Sequence, residues 1–446
     1  MSEENLTNDD HITLKELELL IKNLFKKLNK SEIVLDEIEG WNGILQFILK
    51  DNPHFYVFNS GLQLEFVEGK ADDPDCTLTI TSKLTGKLFS GQLDLFDAII
   101  SGKIEIQGSA SHFMKLTVLL AYFEEEKIER LKKKKKDWIV EKPEKHGMRS
   151  DLLDQTARKL KEIDINRNSF LVIRHGVLIY EKYYTQHCFE KRLRMHYDIA
   201  SITKTMAALV VGVAVTQGLF GVDDLVTDWV SNPAIGIVPG TKIKHILSQT
   251  AETEPAGTNF KYNSGDVINT LGQILTIASG KNSKEFARIN LFEPLGIYDY
   301  SWSKAVANML DLPIGFGMKI SPREAAKLGQ LFLNNGKWDG KQLISENYLK
   351  EMVNPPFLET NSGYGYLVWL NNSLGKWYRP FKNGTGRMIP NAPEDMVMAT
   401  GFYGRFIFVI PSLDIVIITF GKKLVMESLD TAREFYNAIA PSLPLQ

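Results

Sequence analysis

Cysteine is scarce in this chain, and neither sign of charge dominates. Only two of the 446 residues, Cys76 and Cys188, are cysteines, and they stand far apart. Two thiols are too few for a disulfide framework or a cysteine-based zinc site, and such sparse usage fits a reducing compartment. The 52 basic residues against 54 acidic ones leave a net charge of −2. A nucleic-acid binder usually has a strong basic excess, so we expect no nucleic-acid partner.

Long hydrophobic runs are also missing. The first ten residues, MSEENLTNDD, are acidic and have no apolar core, which argues against a secretory signal. The longest nearly uncharged stretch, residues 206–222, contains Thr216, Gln217 and three glycines and is too short to span a membrane. These features predict no transmembrane segment and a cytoplasmic location. The hydrophobic content of 44% and the charged content of 24% are those of a globular protein.

A highly charged segment divides the chain. Residues 124–136 contain three consecutive acids and five consecutive lysines. Charge runs of this kind stay solvated and seldom join a core. The alternative is that the lysines contact an anionic membrane surface, but the neighbouring acids cancel much of their field. We predict a first domain at residues 13–123, a charged linker at 124–150 and a second domain at 151–446.

The first domain has the pattern of a small α/β unit. Residues 14–28 place leucines and isoleucines at helical spacing with lysines opposite, which predicts an amphipathic helix. Segments with strand-like alternation follow, at residues 54–58, 62–67, 76–81 and 103–107. Two further helices are predicted, at residues 93–100 and 109–123.

Residues 74–120, which begin PDCTLTITS, resemble the sterol carrier protein 2 family. That family shows a PD-x-T-L strand, an A-x-x-x-G-K helix end and an I-x-G strand, and the resemblance covers about residues 15–123. It implies an α/β layer around an apolar tunnel that holds a lipid or an acyl chain. The alternative is that the apolar faces only fill a core, as most such residues do.

The second domain begins and ends with strands. Residues 170–173 and 177–183 are rich in β-formers and are joined by a turn at residues 174–176, which predicts a hairpin. After a helix-rich middle, three more strands and a helix are predicted, at residues 396–399, 405–410, 415–420 and 427–440. This order suggests one antiparallel sheet that is closed by both ends of the domain.

Ser201 and Lys204 are the strongest catalytic candidates. Ser201 precedes a strongly apolar stretch that predicts a buried helix, and the i, i+3 spacing puts both side chains on one face of it. Burial and the positive end of the helix dipole would help to keep the lysine amine neutral, so that it could take the serine proton. An activated serine beside a base is typical of covalent acyl transfer.

The S-x-x-K spacing is weak evidence when taken alone. It occurs three times, at Ser201/Lys204, Ser301/Lys304 and Ser373/Lys376. Only the first pair opens a long apolar helix that can bury its lysine, so the other two are interpreted as chance occurrences in loops. The alternative for Ser201 is a helix-capping serine beside a surface lysine, which is the commoner arrangement.

Two further blocks follow in order along the chain. Residues 255–266 read PAGTNFKYNSGD, and residues 396–405 read MVMATGFYGR. With the Ser201 block they resemble the class C β-lactamase and serine esterase superfamily, which also contains D-aminopeptidases and aminohexanoate-oligomer hydrolases. The resemblance covers about residues 165–440. It implies an α/β fold of the α+β type, in which an antiparallel five-stranded sheet is flanked by helices and a helical subdomain is added.

The resemblance implies a role for each matching residue. Ser201 corresponds to the nucleophile, Lys204 to the amine that shares its proton, and Tyr262 to the general base that later protonates the leaving group. That role needs a lowered tyrosine pKa, which a nearby ammonium could supply. The alternative is a half-buried aromatic with a satisfied hydroxyl. The backbone N–H groups of Ser201 and Phe402 correspond to an oxyanion hole, and Gly401 allows the strand to approach closely.

Two departures from the family pattern concern the substrate site. The pattern places Asn two residues after the tyrosine, whereas here Asn263 comes first and Ser264 holds that position, so both are candidates for the residue that lines the site. The strand motif Ala399-Thr400-Gly401 begins with alanine where the family often has lysine or histidine. The cation that grips a substrate carboxylate is therefore missing, which favours a neutral ester or amide over a β-lactam or a peptidoglycan peptide.

His196 and His245 raise the alternative of a Ser-His-Asp triad. No aspartate has a fixed place beside either of them in this pattern, so both are predicted to be structural. The chain contains no H-E-x-x-H, P-loop or G-x-G-x-x-G motif, so no metal and no nucleotide cofactor is predicted.

The sequence as a whole predicts a serine hydrolase that cleaves a small-molecule ester or amide through an acyl-enzyme on Ser201. An accessory first domain would bind a lipid or an acyl chain. Two alternatives remain open: a non-catalytic lipid-binding or scaffold protein with a degenerate hydrolase domain, and an acyltransferase that uses a lipid acyl donor.

Overall fold

Two units make up the chain, one at Met1–Lys135 and the other at Lys136–Gln446. The computed structural model describes residues 12–29, 41–60, 63–89, 93, 95–100, 102–109, 112, 116, 137–184, 195–262, 265–298, 300–303, 316–423 and 428–444. The lysine run at residues 132–136 and most of the helix predicted at residues 109–123 lie outside the described residues.

The first unit is a five-stranded sheet with helices packed against it. Its helices are α1 (Leu14–Leu28), α2 (Ser82–Phe89) and α3 (Leu95–Ile100). Its strands are β1 (Ile44–Leu49), β2 (Phe55–Asn59), β3 (Leu64–Glu68), β4 (Cys76–Ile80) and β5 (Glu105–Gly108). The strands lie in the order β3-β2-β1-β4-β5, with β1 and β4 parallel and the other pairs antiparallel.

Helix α1 has the bounds that its apolar spacing predicts. A reciprocal capping box starts it: Glu16 N–H donates to Thr13 Oγ1 at 3.3 Å, and Thr13 N–H donates to Glu16 Oε2 at 2.8 Å. Leu17, Ile21 and Leu24 are buried along one face, while the lysines lie on the other. The helix therefore covers the sheet with its apolar stripe.

The second unit is larger and has one principal sheet. Its helices are α4 (Ser150–Ile163), α5 (Ile202–Thr216), α6 (Val226–Trp229), α7 (Ile243–Leu247), α8 (Asp266–Ser279), α9 (Ser283–Ala287), α10 (Pro322–Leu333), α11 (Glu346–Met352) and α12 (Ser428–Ile439). Its strands are β6 (Ser169–Arg174), β7 (Val177–Tyr183), β8 (Tyr197–Asp198), β9 (Tyr300–Trp302), β10 (Met318–Ile320), β11 (Lys337–Trp338), β12 (Lys341–Gln342), β13 (Trp369–Leu370), β14 (Lys376–Arg379), β15 (Lys382–Thr385), β16 (Val397–Gly401), β17 (Arg405–Ile410) and β18 (Ile415–Phe420).

The principal sheet runs β13-β16-β17-β18-β6-β7, and every neighbouring pair in it is antiparallel. Strand β18 pairs with β6, so the two ends of the unit close the sheet as predicted. The two-residue strand β13 extends the five long strands to six. The predicted fold class is confirmed.

Helices cover both faces of this sheet. On strand β17, Ile407 and Val409 point into a core shared with α5 and α10, whereas Phe406 and Phe408 point into a second core shared with α4 and α12. This alternation follows the strand period of two. Helix α5 is apolar on nearly all sides because it lies inside the first core.

The residues just before α4 are part of the second unit and bond to other segments of it. Trp138 Nε1 donates to the carbonyl of Arg323 at 2.9 Å, and Arg323 Nη1 donates to Asp137 Oδ2 at 2.6 Å. The N–H of Leu178 in β7 donates to the carbonyl of Ile139 at 3.0 Å, which adds a short parallel bridge at the sheet edge. Within the described ranges, no helix is both long and apolar enough to cross a bilayer.

Candidate active site

A sharp turn precedes α5 and positions Ser201 at the start of that helix. Ala200 has a φ of +48°, a left-handed conformation that is uncommon for a residue with a side chain. Its N–H donates to Asp198 Oδ1 at 2.7 Å, and the N–H of Ile199 donates to the carbonyl of Met318 at 3.0 Å. The turn is thus held by one side-chain bond and one backbone bond.

Lys204 lies one helical turn after Ser201. Its Nζ is hydrogen-bonded to Ser201 Oγ at 3.0 Å, and only 1% of the lysine is exposed. Burial lowers the pKa of Lys204 to about 7, so a large share of the amine is neutral at neutral pH. Among the described residues, the Ser201 hydroxyl makes no capping bond to α5. The alternative of a capping serine beside a surface lysine is therefore wrong.

Tyr262 contacts both members of this pair. Lys204 Nζ lies 5.0 Å from the centre of the Tyr262 ring, and the tyrosine hydroxyl hydrogen-bonds to Ser201. Burial raises the pKa of Tyr262, although the Ser201 hydrogen bond and the charge of Arg379 act in the opposite direction. The phenol is therefore protonated at neutral pH and does not have the lowered pKa that a resting general base needs. Asn263 and Ser264 lie outside the described residues.

Strand β16 ends beside the turn that precedes α5. A Cβ on Gly401 would lie 2.5 Å from the carbonyl oxygen of Ile199, so only glycine permits this approach. Ala399 and Thr400 are buried in the same strand, and Phe402 follows it with 52% of its surface exposed. The backbone at the end of β16 thus meets the backbone that leads into the serine.

An aromatic cluster that sequence reasoning missed packs around Tyr262. Trp369 stacks on the Tyr262 ring with centroids 5.5 Å apart, and Tyr364 meets Trp369 edge-on at 4.5 Å. The Arg379 guanidinium lies 3.8 Å from the centre of the Trp369 ring, and Gln249 Nε2 donates to the Tyr364 hydroxyl at 2.6 Å. The aromatic run at residues 364–369 was a signal for this cluster, but nothing local connects it to Tyr262.

The arrangement supplies both a proton acceptor and a proton donor to one hydroxyl. A neutral amine at Lys204 can accept the Ser201 proton, and a protonated phenol at Tyr262 can donate one. This is the chemistry that acyl transfer through a serine requires. In the part of the chain that the structure describes, no group of three or more His, Cys, Asp and Glu side chains is arranged to hold a metal ion.

Comparison with known protein families establishes how this chain is related to them. The family described as Beta-lactamase matches residues 153–440, which is more than half of the chain. The chain belongs to the beta-lactamase family. The family described as SCP-2 sterol transfer matches residues 21–121. The resemblance of each domain to its family, inferred from sequence motifs, is therefore confirmed, and the second unit is a hydrolase-type fold.

Relatives of this beta-lactamase-family chain are distant. An uncharacterized protein of Alkalihalophilus pseudofirmus is 22% identical over 339 residues, which cover 66% of this chain and 98% of that protein. A structure named as a proposed 6-aminohexanoate-dimer hydrolase from Bacillus anthracis has a TM-score of 0.52 and 16% identity, covering 65% of this chain and 83% of its own. A structure named as a proposed beta-lactamase from Bacteroides dorei has a TM-score of 0.53 and 15% identity, covering 66% and 99%. At these identities the structural likeness shows a shared fold.

In this beta-lactamase-family unit, the two histidines that raised the alternative of a Ser-His-Asp triad make structural contacts. His245 Nδ1 accepts the N–H of Lys242 at 2.8 Å, and its ring packs on Phe357 with centroids 4.9 Å apart. Burial lowers the pKa of His245 to about 4. His196 is exposed, and its Nδ1 lies 3.2 Å from Ser301 Oγ. These contacts agree with the structural roles predicted for both.

The other S-x-x-K pairs differ from the buried pair in α5. Ser373 and Lys376 are both exposed, so solvent surrounds the lysine amine. Lys304 lies outside the described residues, and its serine partner contacts His196 instead. Of the three pairs, the one at residues 201 and 204 is the pair that the structure shows hydrogen-bonded and with a buried lysine.

Proposed function

We propose that this protein is a serine hydrolase that cleaves a carboxylic ester or amide through an acyl-enzyme on Ser201. The observation that carries the proposal is the 3.0 Å hydrogen bond between Ser201 Oγ and the buried Lys204 amine. An ordinary lysine is charged at neutral pH and cannot accept a proton, whereas burial lowers the pKa of Lys204 to about 7. The base is therefore available under ordinary conditions.

In the proposed reaction, Lys204 takes the hydroxyl proton while Ser201 Oγ attacks the substrate carbonyl carbon. The new C–O bond creates a tetrahedral oxyanion, which the N–H groups of Ser201 and Phe402 stabilise. Collapse of this intermediate breaks the bond to the leaving alcohol or amine. Tyr262 gives that group a proton and recovers one from the Lys204 ammonium. Water then attacks the acyl-enzyme, and Lys204 and Tyr262 move its protons so that the acid and free Ser201 are released.

The raised pKa of Tyr262 supports its role as donor. A phenol that is protonated at rest can deliver its proton to the leaving group without a prior protonation step. The neutral amine of Lys204 then serves as the first acceptor. This division of labour differs from a resting phenolate base, because burial keeps the Tyr262 phenol uncharged and shifts the Lys204 amine toward its neutral form.

The surroundings of Ser201 favour neutral, apolar acyl groups. Ala399 is buried and supplies no cation for a substrate carboxylate. Beyond Gly401 the chain exposes Phe402 and Tyr403, whose ring centroids are 6.5 Å apart. Exposed aromatic rings beside a reactive serine offer an apolar surface to an acyl chain. The likeness to a structure named as an aminohexanoate-dimer hydrolase supports amides as well as esters in this substrate class.

The first unit is proposed to bind a lipid or an acyl chain as an accessory domain. Support comes from its match to the SCP-2 sterol transfer family and from the apolar interior of its sheet, where Phe47 stacks on Phe55 with centroids 4.6 Å apart. Native mass spectrometry of the full-length protein checks this proposal. We expect a retained lipid or fatty-acid adduct, and protein that neither retains nor takes up such a ligand contradicts it.

Hydrolysis of p-nitrophenyl esters of increasing acyl length tests the enzyme assignment. We expect the wild type to turn over these esters and Ser201→Ala to lose at least about a thousandfold in kcat. Lys204→Ala and Tyr262→Phe are expected to lose nearly as much. The matched control is Ser373→Ala, which changes the serine of an exposed S-x-x-K pair and should keep full activity. Turnover by Ser201→Ala at the wild-type rate would refute the proposal.

A further inference from the structure

We infer that Asp198 and Arg405 are positioning residues that set the geometry of the oxyanion site. The inference rests on the function proposed above. The two side chains connect the two backbone segments that carry the proposed oxyanion donors, namely the turn before Ser201 and the end of β16 before Phe402. In the proposed reaction neither side chain contacts the reacting atoms. Each one acts by holding a backbone segment in place.

Asp198 holds the turn before the serine. Its Oδ1 accepts the N–H of Ala200 at 2.7 Å, and Ala200 is the residue with the left-handed φ of +48°. Such a backbone is strained and persists only where its surroundings fix it. Asp198 is itself fixed, because it belongs to β8 and pairs with Lys319 of β10.

Arg405 holds the strand that faces the turn. It is the first residue of β17 and pairs directly with Gly401, the last residue of β16. Its Nη1 lies 3.5 Å from Asp198 Oδ1, and its Nε donates to the carbonyl of Gly421 at 3.3 Å. Only 6% of Arg405 is exposed, and its guanidinium lies 5.1 Å from the centre of the Tyr403 ring. A planar guanidinium with several donors suits such a bridging position.

One carboxylate oxygen therefore joins both segments. Asp198 Oδ1 accepts from the Ala200 backbone on one side and approaches the Arg405 guanidinium on the other. The direct contact of Gly401 with the Ile199 carbonyl constrains the same junction sterically. Oxyanion donors work only when they lie about 2.7–3.1 Å from the developing charge, and a displacement of 1 Å can cost about a hundredfold in rate. Loosening this link should hence weaken binding of the tetrahedral state more than binding of the substrate.

Four variants test the link. Asp198→Ala removes the acceptor for Ala200 N–H and the charge, whereas Asp198→Asn removes the charge and keeps an acceptor oxygen. Arg405→Gln removes the guanidinium charge, and Arg405→Lys keeps a cation. The matched control is Arg149→Gln, which breaks the exposed ion pair between Arg149 and Asp151. Asp198 is 44% exposed at its side chain, so its variants should fold even if those of the buried Arg405 do not.

The assay compares ester hydrolysis with binding of phenylboronic acid, a probe that forms a tetrahedral adduct on a serine. For p-nitrophenyl butyrate we expect kcat/KM to fall by about 10- to 100-fold in Asp198→Ala and in Arg405→Gln. The inhibition constant of phenylboronic acid should rise by a similar factor while KM changes little. Asp198→Asn and Arg405→Lys should each recover part of the loss, and Arg149→Gln should match the wild type.

Two results would overturn the inference. One is wild-type kcat/KM in the Asp198 variants. The other is a loss of kcat/KM with unchanged affinity for phenylboronic acid, because that pattern places the defect away from the tetrahedral state. Ser201→Ala is measured in parallel. If it abolishes hydrolysis while the Asp198 and Arg405 variants remain fully active, the inference fails and the proposed function stands. If Ser201→Ala stays active, the proposed function itself fails.

Discussion

At the scale of single residues, burial of Lys204 has opposite effects on reactivity and on stability. The protein interior disfavours the ammonium form and lowers its pKa to about 7 from the ordinary value of 10.5. The same desolvation has two results. It provides a neutral base, and it lowers the free energy of unfolding at every pH at which Lys204 would be protonated in the unfolded chain. Both consequences can be measured.

The pH dependence of ester hydrolysis reports on the base. Because Lys204 must be neutral to accept the serine proton, kcat/KM should rise with pH through about 7 and level off above it. Rates of p-nitrophenyl butyrate hydrolysis from pH 5 to pH 9 give the profile, with Ser201→Ala as the blank for spontaneous hydrolysis. A rise in kcat/KM that is centred near the ordinary pKa of lysine would show that Lys204 is charged at rest.

The stability of Lys204→Met tests the other consequence. Between pH 7 and 10.5 the unfolded wild type binds more protons at this residue than the folded one, so wild-type stability rises with pH. Methionine does not titrate, so the advantage of Lys204→Met in the free energy of unfolding should shrink by about 2 kcal/mol from pH 7 to pH 9. Denaturant unfolding at both pH values measures it. A constant difference between the two proteins contradicts the expectation.

At the scale of elements, some features were readable from local sequence and others were not. The spacing of residues 14–28 predicted α1 with its observed bounds, and the strands predicted at residues 405–410 and 415–420 are β17 and β18. Strand β1 was missed. It is a central strand with a nearly continuous apolar run, so the period of two that marks a half-buried strand is absent.

The candidate site also combines residues that local sequence predicts with residues that it does not predict. Ser201 and Lys204 are one helical turn apart, so local spacing was enough to propose them together. Tyr364, Trp369 and Arg379 reach Tyr262 only through the tertiary fold, which brings separate segments together. The direction of the Tyr262 pKa depended on how deeply the ring is buried, and no spacing in the sequence encodes that depth.

The end of β16 allows a test of close approach. Gly401→Ala would place a Cβ 2.5 Å from the Ile199 carbonyl oxygen and push the serine turn away. We expect kcat/KM to fall by about 10- to 100-fold. Gly375→Ala is the control, since its Cβ would meet Ser362 at 3.6 Å, an ordinary contact. Ester hydrolysis and circular dichroism of both variants give the answer, and full activity in Gly401→Ala would show that the approach is not required.

At the scale of the whole molecule, the boundary between the units has a practical consequence. The second unit includes residues that precede α4, because Asp137 and Trp138 bond to Arg323. Arg323 also forms a two-pronged ion pair with Glu181 of β7. The residues that lead into α4 therefore take part in the edge of the hydrolase-type unit.

Two fragments test this boundary. A fragment of residues 136–446 should fold and hydrolyse esters with the kcat/KM of the full chain. A fragment of residues 151–446 lacks Asp137 and Trp138 and should melt about 5 °C lower, because it loses their bonds to Arg323. Thermal unfolding followed by circular dichroism compares them. Equal melting temperatures would show that the residues before α4 add no stability.

The pairing of β6 with β18 also determines how late in translation the sheet of the second unit can form. Ser169 pairs with Phe420, so the ribosome must translate nearly the entire second unit before this central ladder can form. Until then the nascent β6–β7 hairpin exposes apolar side chains that chaperones recognise. The strands that the structure describes in the first unit lie between residues 44 and 108, so its sheet can form early. A stop codon between residues 136 and 414 would therefore spare the first unit and leave the second without its central strand.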